Sequence, residues 1–115
     1  MTLTIYHNPR CRKSREALQY LEDNGQNPKI VDYQKTHFSE KDIQRVLGQL
    51  NCTAEELIRK NETIWKTEFK NKSWTEKQLI AALATHPKLI ERPIISNGNQ
   101  AVVARPIERL KEFLK

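Results

Sequence analysis

The chain has 115 residues and suits one domain near the usual size, with little room for two. Hydrophobic residues make up 37% and charged residues 30%, and no apolar run approaches the roughly 18 residues of a bilayer span. The start, Met1-Thr2-Leu3-Thr4-Ile5-Tyr6, lacks the basic head and apolar run of a secretory leader, and the net charge of +6 admits nucleic acid, an acidic surface or a small anion as partner.

Leu3-Thr4-Ile5-Tyr6 alternates apolar and polar and predicts a short strand. His7-Asn8-Pro9 stops it, because proline lacks a donor and restricts its predecessor. Ser14, Ala17, Leu18 and Leu21 then recur at i, i+3, i+4 and i+7, a helical stripe. Gly25 is placed to end that helix in a left-handed conformation, with Pro28 blocking a restart. Lys29-Ile30-Val31-Asp32-Tyr33 predicts a second strand, which completes a βαβ unit.

The middle of the chain is helical. Ser39-Glu40-Lys41-Asp42 opens a helix with Ile43, Val46, Leu47 and Leu50 facing inward. Thr53-x-x-Glu56 and Thr75-x-x-Gln78 match the capping box, in which hydroxyl and acid or amide satisfy each other's free N–H groups. The stretch 61–74 is less regular, and its two tryptophans are expected to anchor it to the core. Beyond it, Ile94-Ile95-Ser96 and Ala101-Val102-Val103 flank Asn97-Gly98, a hairpin signal of the type I′ kind. Pro106 suits the first turn of a last helix carrying Ile107, Leu110 and Leu114 inward. The order predicts an α/β fold, a four-stranded mixed sheet with flanking helices. Its core is expected at about 1–36 and 88–115, with a helical insertion at about 37–87.

Four of the six positions from Arg10 to Arg15 are basic and surround Cys11, where strand gives way to helix. Free N–H groups and the positive end of the helix dipole favour an anion there. Together with cationic neighbours they lower a thiol's pKa, and the thiolate is the nucleophile. Arg10, Arg12, Lys13, Arg15 and His7 are candidate neighbours, and the Ser14 hydroxyl is a candidate donor to the sulfur. The same donors suit an oxyanion. The plainer alternative is a small packed thiol among solvated charges.

Other arrangements fail on spacing. Ser14 occupies the second position of a Cys-x-x-Cys pair, and Ala17 stands where a phosphatase-type loop needs arginine. Among His7, His37, His86, Cys11 and Cys52, only His7 and Cys11 lie at metal-ligand separation, so no metal is expected. His37 and His86 read as element-end residues, and Cys52 as a packed thiol. With two cysteines and no leader, the expected compartment is the cytoplasm, with both thiols reduced. Basic charge spread among 14 acids, with no recognition motif, argues against nucleic acid.

Four blocks taken together, His7-Asn8-Pro9-Arg10-Cys11-Arg12-Lys13-Ser14-Arg15, Leu57-Ile58-Arg59-Lys60-Asn61, Leu89-Ile90-Glu91-Arg92-Pro93-Ile94 and Ala104-Arg105-Pro106, resemble the glutaredoxin-linked arsenate reductase family across essentially the whole chain. The resemblance implies a thioredoxin-like fold with an extra helical segment. It implies that Cys11 is the catalytic cysteine, and that His7 and Ser14 help to keep it ionised. Arg59, Arg92 and Arg105 then hold arsenate and the arsenic-bearing intermediate. Pro93 corresponds to a cis proline beside the site, and Asn8, Arg12, Lys13 and Arg15 join the cradle. Arsenate or a similar oxyanion is the implied substrate. Glutathione is the co-substrate, glutaredoxin the partner, and no bound cofactor is implied. Two alternatives follow from the same fold: a glutathione-dependent thiol oxidoreductase with another substrate, and a non-enzymatic, redox-sensing regulator that binds RNA polymerase.

Overall fold

The computed structural model describes residues 2–36 and 38–115, so His37 lies outside the described residues. In chain order the elements are β1 (Thr4–His7), α1 (Arg12–Asp23), β2 (Lys29–Asp32), α2 (Glu40–Leu50), α3 (Ala54–Leu57), α4 (Glu76–Thr85), β3 (Ile94–Ser96), β4 (Ala101–Val103) and α5 (Glu108–Phe113). A π-helical turn, Trp65–Phe69, precedes α4, and a 3₁₀ turn, Pro87–Leu89, follows it. The chain divides into two units, residues 1–37 with 92–115 and residues 38–91.

The first unit holds the sheet, in the order β2-β1-β3-β4. β1 runs parallel to β2, Thr4 opposite Lys29 and His7 opposite Asp32. It runs antiparallel to β3, Tyr6 opposite Ile94, and β3 pairs antiparallel with β4. The alternation read in β1 does not carry through to burial. Ile5, Tyr6 and His7 are all buried, as befits a central strand with neighbours on both edges. Leu3 and Ile5 of this region, Ala17 and Leu21 of α1, Ile95, Ala104 and Leu110 form the apolar cluster that fixes α1 and α5 to the sheet. Gly25, with φ +75°, ends α1 as expected, its N–H bonded to the Glu22 carbonyl and that of Gln26 to the Leu21 carbonyl.

Two details differ from the sequence reading. The hairpin turns on Gly98 and Asn99, one residue later than predicted. The Asn97 side chain accepts the N–H groups of Asn99 and Gln100, and the Asn97 N–H pairs with the Gln100 carbonyl. Gly98, at φ +99°, therefore supplies the positive dihedral alone, as in a type II′ turn. The final helix begins past Pro106, because the N–H groups of Arg109 and Leu110 bond the carbonyls of Pro106 and Ile107 in tight i→i+3 turns first.

In the second unit, three helices start on reciprocal caps: Ser39 with Asp42, Thr53 with Glu56, and Thr75 with Gln78. Helix α4 packs on α2 and α3 and contributes Leu79, Ile80, Ala82 and Leu83 to the buried residues. Residues 57–59 and 89–91 lie side by side antiparallel. Ile58 bridges to Ile90, the Arg59 N–H bonds the Leu89 carbonyl, and the Glu91 N–H bonds the Leu57 carbonyl. The tryptophans are not core anchors. Trp65 and Trp74 are both half-exposed, each in contact with Phe69, and no residue of the π-helical turn is buried. The turn folds the aromatics onto one another instead, with Trp65 stacked on Phe69 at 5.6 Å.

Candidate active site

The end of β1 and the start of α1 build the site. Cys11 is the N-cap of α1, with extended backbone (φ −94°, ψ 121°), and its side chain makes no cap hydrogen bond. Its own N–H bonds the Asn8 carbonyl at 2.9 Å, and its carbonyl accepts the Arg15 N–H at 3.0 Å. Asn8 therefore turns the chain twice, because its Oδ1 also accepts the Arg10 N–H at 3.1 Å. The sulfur is left at the open end of the helix, half-buried, facing N–H groups that have no intrahelical acceptor.

Burial pushes the Cys11 thiol up, but other contacts outweigh it and the pKa falls below its ordinary value. The Ser14 backbone N–H, the Arg92 side chain with its positive charge, and the Lys13 N–H each favour the thiolate over the thiol. The cause differs from the one the sequence suggests. The Arg12 and Lys13 side chains reach along the helix to Glu16, at 3.5 and 3.8 Å, and that of Arg12 is 85% exposed. Arg15 donates to the Pro9 carbonyl at 2.9 Å, and Arg10 is exposed. Lys13 and Ser14 thus act through the backbone, and the cation beside the sulfur is Arg92.

His7 and Ser14 form a buried pair beneath this turn. His7 Nδ1 lies 2.6 Å from Ser14 Oγ, which also accepts the Asn8 N–H at 3.1 Å. Burial lowers the His7 pKa, the Asp32 carboxylate opposes that shift and the Arg15 charge adds to it. His7 is therefore a neutral brace for Ser14 near neutrality, not one more cation. Ser14 is fully buried, which fixes the first turn of α1 against β1.

Arg92, Pro93 and Arg105 come from the other half of the same unit. The Tyr6–Ile94 pairing, extended past the ladder, sets His7 opposite Pro93, and so brings residue 92 to the loop after β1. The Arg92–Pro93 bond is cis, as is Arg105–Pro106. Arg105 Nη1 donates to the Arg92 carbonyl at 3.4 Å. Arg92 Nε is buried and has no hydrogen-bond acceptor among the described residues. A buried, charged N–H without an acceptor is costly, and a bound anion relieves that cost.

Arg59 belongs to the second unit. Its side chain is 11% exposed and bridges two carboxylates, with Nη1 3.3 Å from Glu62 and Nε 3.2 Å from Glu91. Sequence reasoning missed both partners, although Glu62 lies at i+3 and Glu91 adjoins Arg92. Cys52 is the opposite of Cys11: burial and the charges of Glu56 and Glu76 raise its pKa. His86 caps the end of α4, and its ring meets Phe69 edge-on at 5.9 Å. Among the described residues, no group of three or more His, Cys, Asp or Glu is placed to hold a metal ion, and no helix is long and apolar enough to cross a membrane.

Comparison with known proteins places this geometry. Residues 6–113 match the ArsC family. An arsenate reductase from Haemophilus influenzae is 35% identical over 116 residues, spanning 99% of this chain and 100% of the relative. The uncharacterized protein YfgD of Escherichia coli is 40% identical over 114 residues, 96% of this chain and 94% of that one. The solved structure of an arsenate reductase from Vibrio cholerae superimposes with a TM-score of 0.91 at 38% identity, covering 97% of each chain. The four-stranded mixed sheet with flanking helices is the fold shared with these structures.

Proposed function

The chain belongs to the ArsC family, and from that premise we propose that it reduces arsenate to arsenite through Cys11, with glutathione and glutaredoxin supplying the electrons. One observation carries the reading: a cysteine held below its ordinary pKa lies beside a buried guanidinium N–H that lacks an acceptor. A nucleophile and an unmet anion donor occupy one place. The full-length arsenate reductases among the relatives supply the substrate.

In the proposed sequence, the Cys11 thiolate attacks arsenic(V), an oxygen leaves as water after protonation, and a sulfur–arsenic bond forms. Arg92, with Arg105 on its carbonyl, balances the charge on the oxyanion, and the N–H groups of Lys13 and Ser14 hold the thiolate before attack. The glutathione thiolate then bonds the Cys11 sulfur. The sulfur–arsenic pair of electrons passes to arsenic, which leaves as arsenic(III). Cys11 and glutathione have together lost two electrons and remain as a mixed disulfide. Glutaredoxin transfers the glutathionyl group away, and a second glutathione closes the cycle as the oxidised dimer. The scheme uses one protein thiol, consistent with Ser14 in place of a second cysteine. The resemblance assigns Arg59 to the oxyanion as well.

The test is arsenite production by the purified protein with arsenate, glutathione and glutaredoxin. Turnover is expected with all three, to be abolished in Cys11→Ser and kept in Cys52→Ser. Turnover by Cys11→Ser overturns the reading. Glutathione transfer without arsenate turnover replaces the substrate but keeps the thiol chemistry.

A further inference from the structure

The second unit carries a surface that the thiol chemistry does not use. Two adjoining grooves, of about 380 and 410 Å³, share Lys60, Trp65 and Lys72. Lys66, Phe69 and Lys70 complete one of them, and Trp74 lies in the other. The half-exposed aromatics line both grooves together with lysines, and the one acid in the lining, Glu55, is paired with Lys60. We propose that this surface docks an acidic segment of a partner protein, laid along the lysines over the aromatic edges.

The charges favour that occupant. Lys60 is already engaged, 2.9 Å from Glu55 and over the Trp65 ring at 5.8 Å. Lys66, Lys70 and Lys72 are exposed and make no ion pair with any described residue. The two acids of this stretch are turned to another purpose. Glu62 and Glu68 line a separate cleft of about 600 Å³, and Glu62 is bound to Arg59. Three uncompensated ammonium groups beside apolar rings suit carboxylates interleaved with apolar side chains.

The backbone favours a built surface over a frayed loop. A π-helical turn sets the rings, the Trp74 indole N–H bonds the Phe69 carbonyl at 2.9 Å, and Asn71 holds φ +71° between Lys70 and Lys72. Single-stranded nucleic acid is the competing polyanion, and it needs a free aromatic face on which a base stacks. Trp65 is already engaged by two neighbours, Phe69 stacked at an interplanar angle of 6° and the Lys60 ammonium over the ring, which disfavours it as a platform for a base.

The chain has two tryptophans, Trp65 and Trp74, so tryptophan emission excited at wavelengths where its three tyrosines do not absorb reports on this surface. Poly-L-glutamate is titrated into the full-length protein while tryptophan emission is followed. A saturable change is expected, weakening with salt. It is expected to lose about tenfold or more in affinity in the triple variants Lys66→Glu/Lys70→Glu/Lys72→Glu and Lys66→Gln/Lys70→Gln/Lys72→Gln. A control with equal charge change elsewhere, Lys29→Glu/Lys35→Glu/Lys41→Glu, is expected to keep most of the affinity. No saturable change, equal loss in the control, or tighter binding of oligothymidylate than of polyglutamate each overturns the proposal. Retained far-UV circular dichroism in the triple variants assigns their loss to the surface, and its collapse in both shows that the lysines serve the fold instead. The inference stands apart from the arsenate reading, because neither probe reacts with Cys11.

Discussion

His7 and Ser14 meet at 2.6 Å beneath the turn that carries Cys11, one at the end of β1 and the other in the first turn of α1. Ser14→Ala removes the shared partner of His7 Nδ1 and of the Asn8 N–H, leaving two buried polar groups unmet. A loss of about 1–3 kcal/mol is expected by urea unfolding. The Cys11 alkylation profile is expected to move to higher pH, because the Ser14 N–H that faces the sulfur is no longer braced.

The same pair predicts a pH effect with a defined sign. Burial lowers the His7 pKa, so the unfolded chain takes up a proton more readily than the fold does. Stability is complete above the ordinary imidazole value of 6.5 and falls as acid is added through the window below it. His7→Asn keeps a polar side chain and removes the titration. Its urea midpoint is expected to fall less steeply than that of the parent between about pH 7 and pH 5. Parallel slopes overturn the assignment of that window to His7.

Arg92 gives the clearest test of the site's electrostatics. It is the cation that lowers the Cys11 pKa, whereas Arg12 and Lys13 are tied to Glu16. Arg92→Gln is expected to shift the pH profile of iodoacetamide alkylation upward, and Arg12→Gln to leave it in place. On the proposed reaction, Arg92→Gln costs about a hundredfold in kcat, the scale of losing one oxyanion donor. Lysine is expected to restore the alkylation profile in part and kcat poorly, since it lacks the planar, multidentate geometry.

The two thiols are expected to separate in a single labelling experiment. Burial with Glu56 and Glu76 raises Cys52, and the α1 terminus with Arg92 lowers Cys11. A brief iodoacetamide pulse near neutral pH, read by mass spectrometry of the peptides, is expected to mark Cys11 and spare Cys52. Sulfate or arsenate is expected to slow the Cys11 reaction selectively. Equal labelling contradicts the thiolate assignment.

Local signals were legible where one rule acted alone. The Ser14-Ala17-Leu21 stripe, the Gly25 terminus and the caps at Thr53 and Thr75 each follow from a short pattern, and each appears in the fold. Competing local chemistry hid the rest. Asn97-Gly98 reads as the turn centre, yet the Asn97 amide captures two later N–H groups and moves the turn one residue on. Trp65 and Trp74 suggest a core, yet a π-helical turn lets them pack on Phe69 at the surface. At the site, Cys11 was visible from the strand–helix junction, whereas Arg92 was named only through the family resemblance, as an oxyanion ligand and not as the cation beside the sulfur. The Arg10–Arg15 cluster lies close in sequence, whereas Arg92 arrives through the antiparallel pairing of β1 with β3, which no local spacing encodes.

Arg59 illustrates how burial changes the worth of an ion pair, and the neighbouring Lys60 provides the control. The Arg59 side chain is 11% exposed and spans Glu62 and Glu91, whose side chains are 28% and 33% exposed. Lys60 and Glu55, at 51% and 61%, approach more closely, at 2.9 Å. Distance alone ranks the lysine pair first, whereas solvent screening ranks it last. A double-mutant cycle on Arg59→Met and Glu91→Gln is expected to give a coupling of about 1 kcal/mol or more, because removing either partner strands a poorly solvated charge. The cycle on Lys60→Met and Glu55→Gln is expected to give about 0.2–0.5 kcal/mol. Arg59→Lys is expected to behave nearly as badly as Arg59→Met, since one ammonium group does not bridge two carboxylates on opposite sides of a fixed fork. Unfolding midpoints in urea measure all three, and equal couplings in the two cycles remove burial as the explanation.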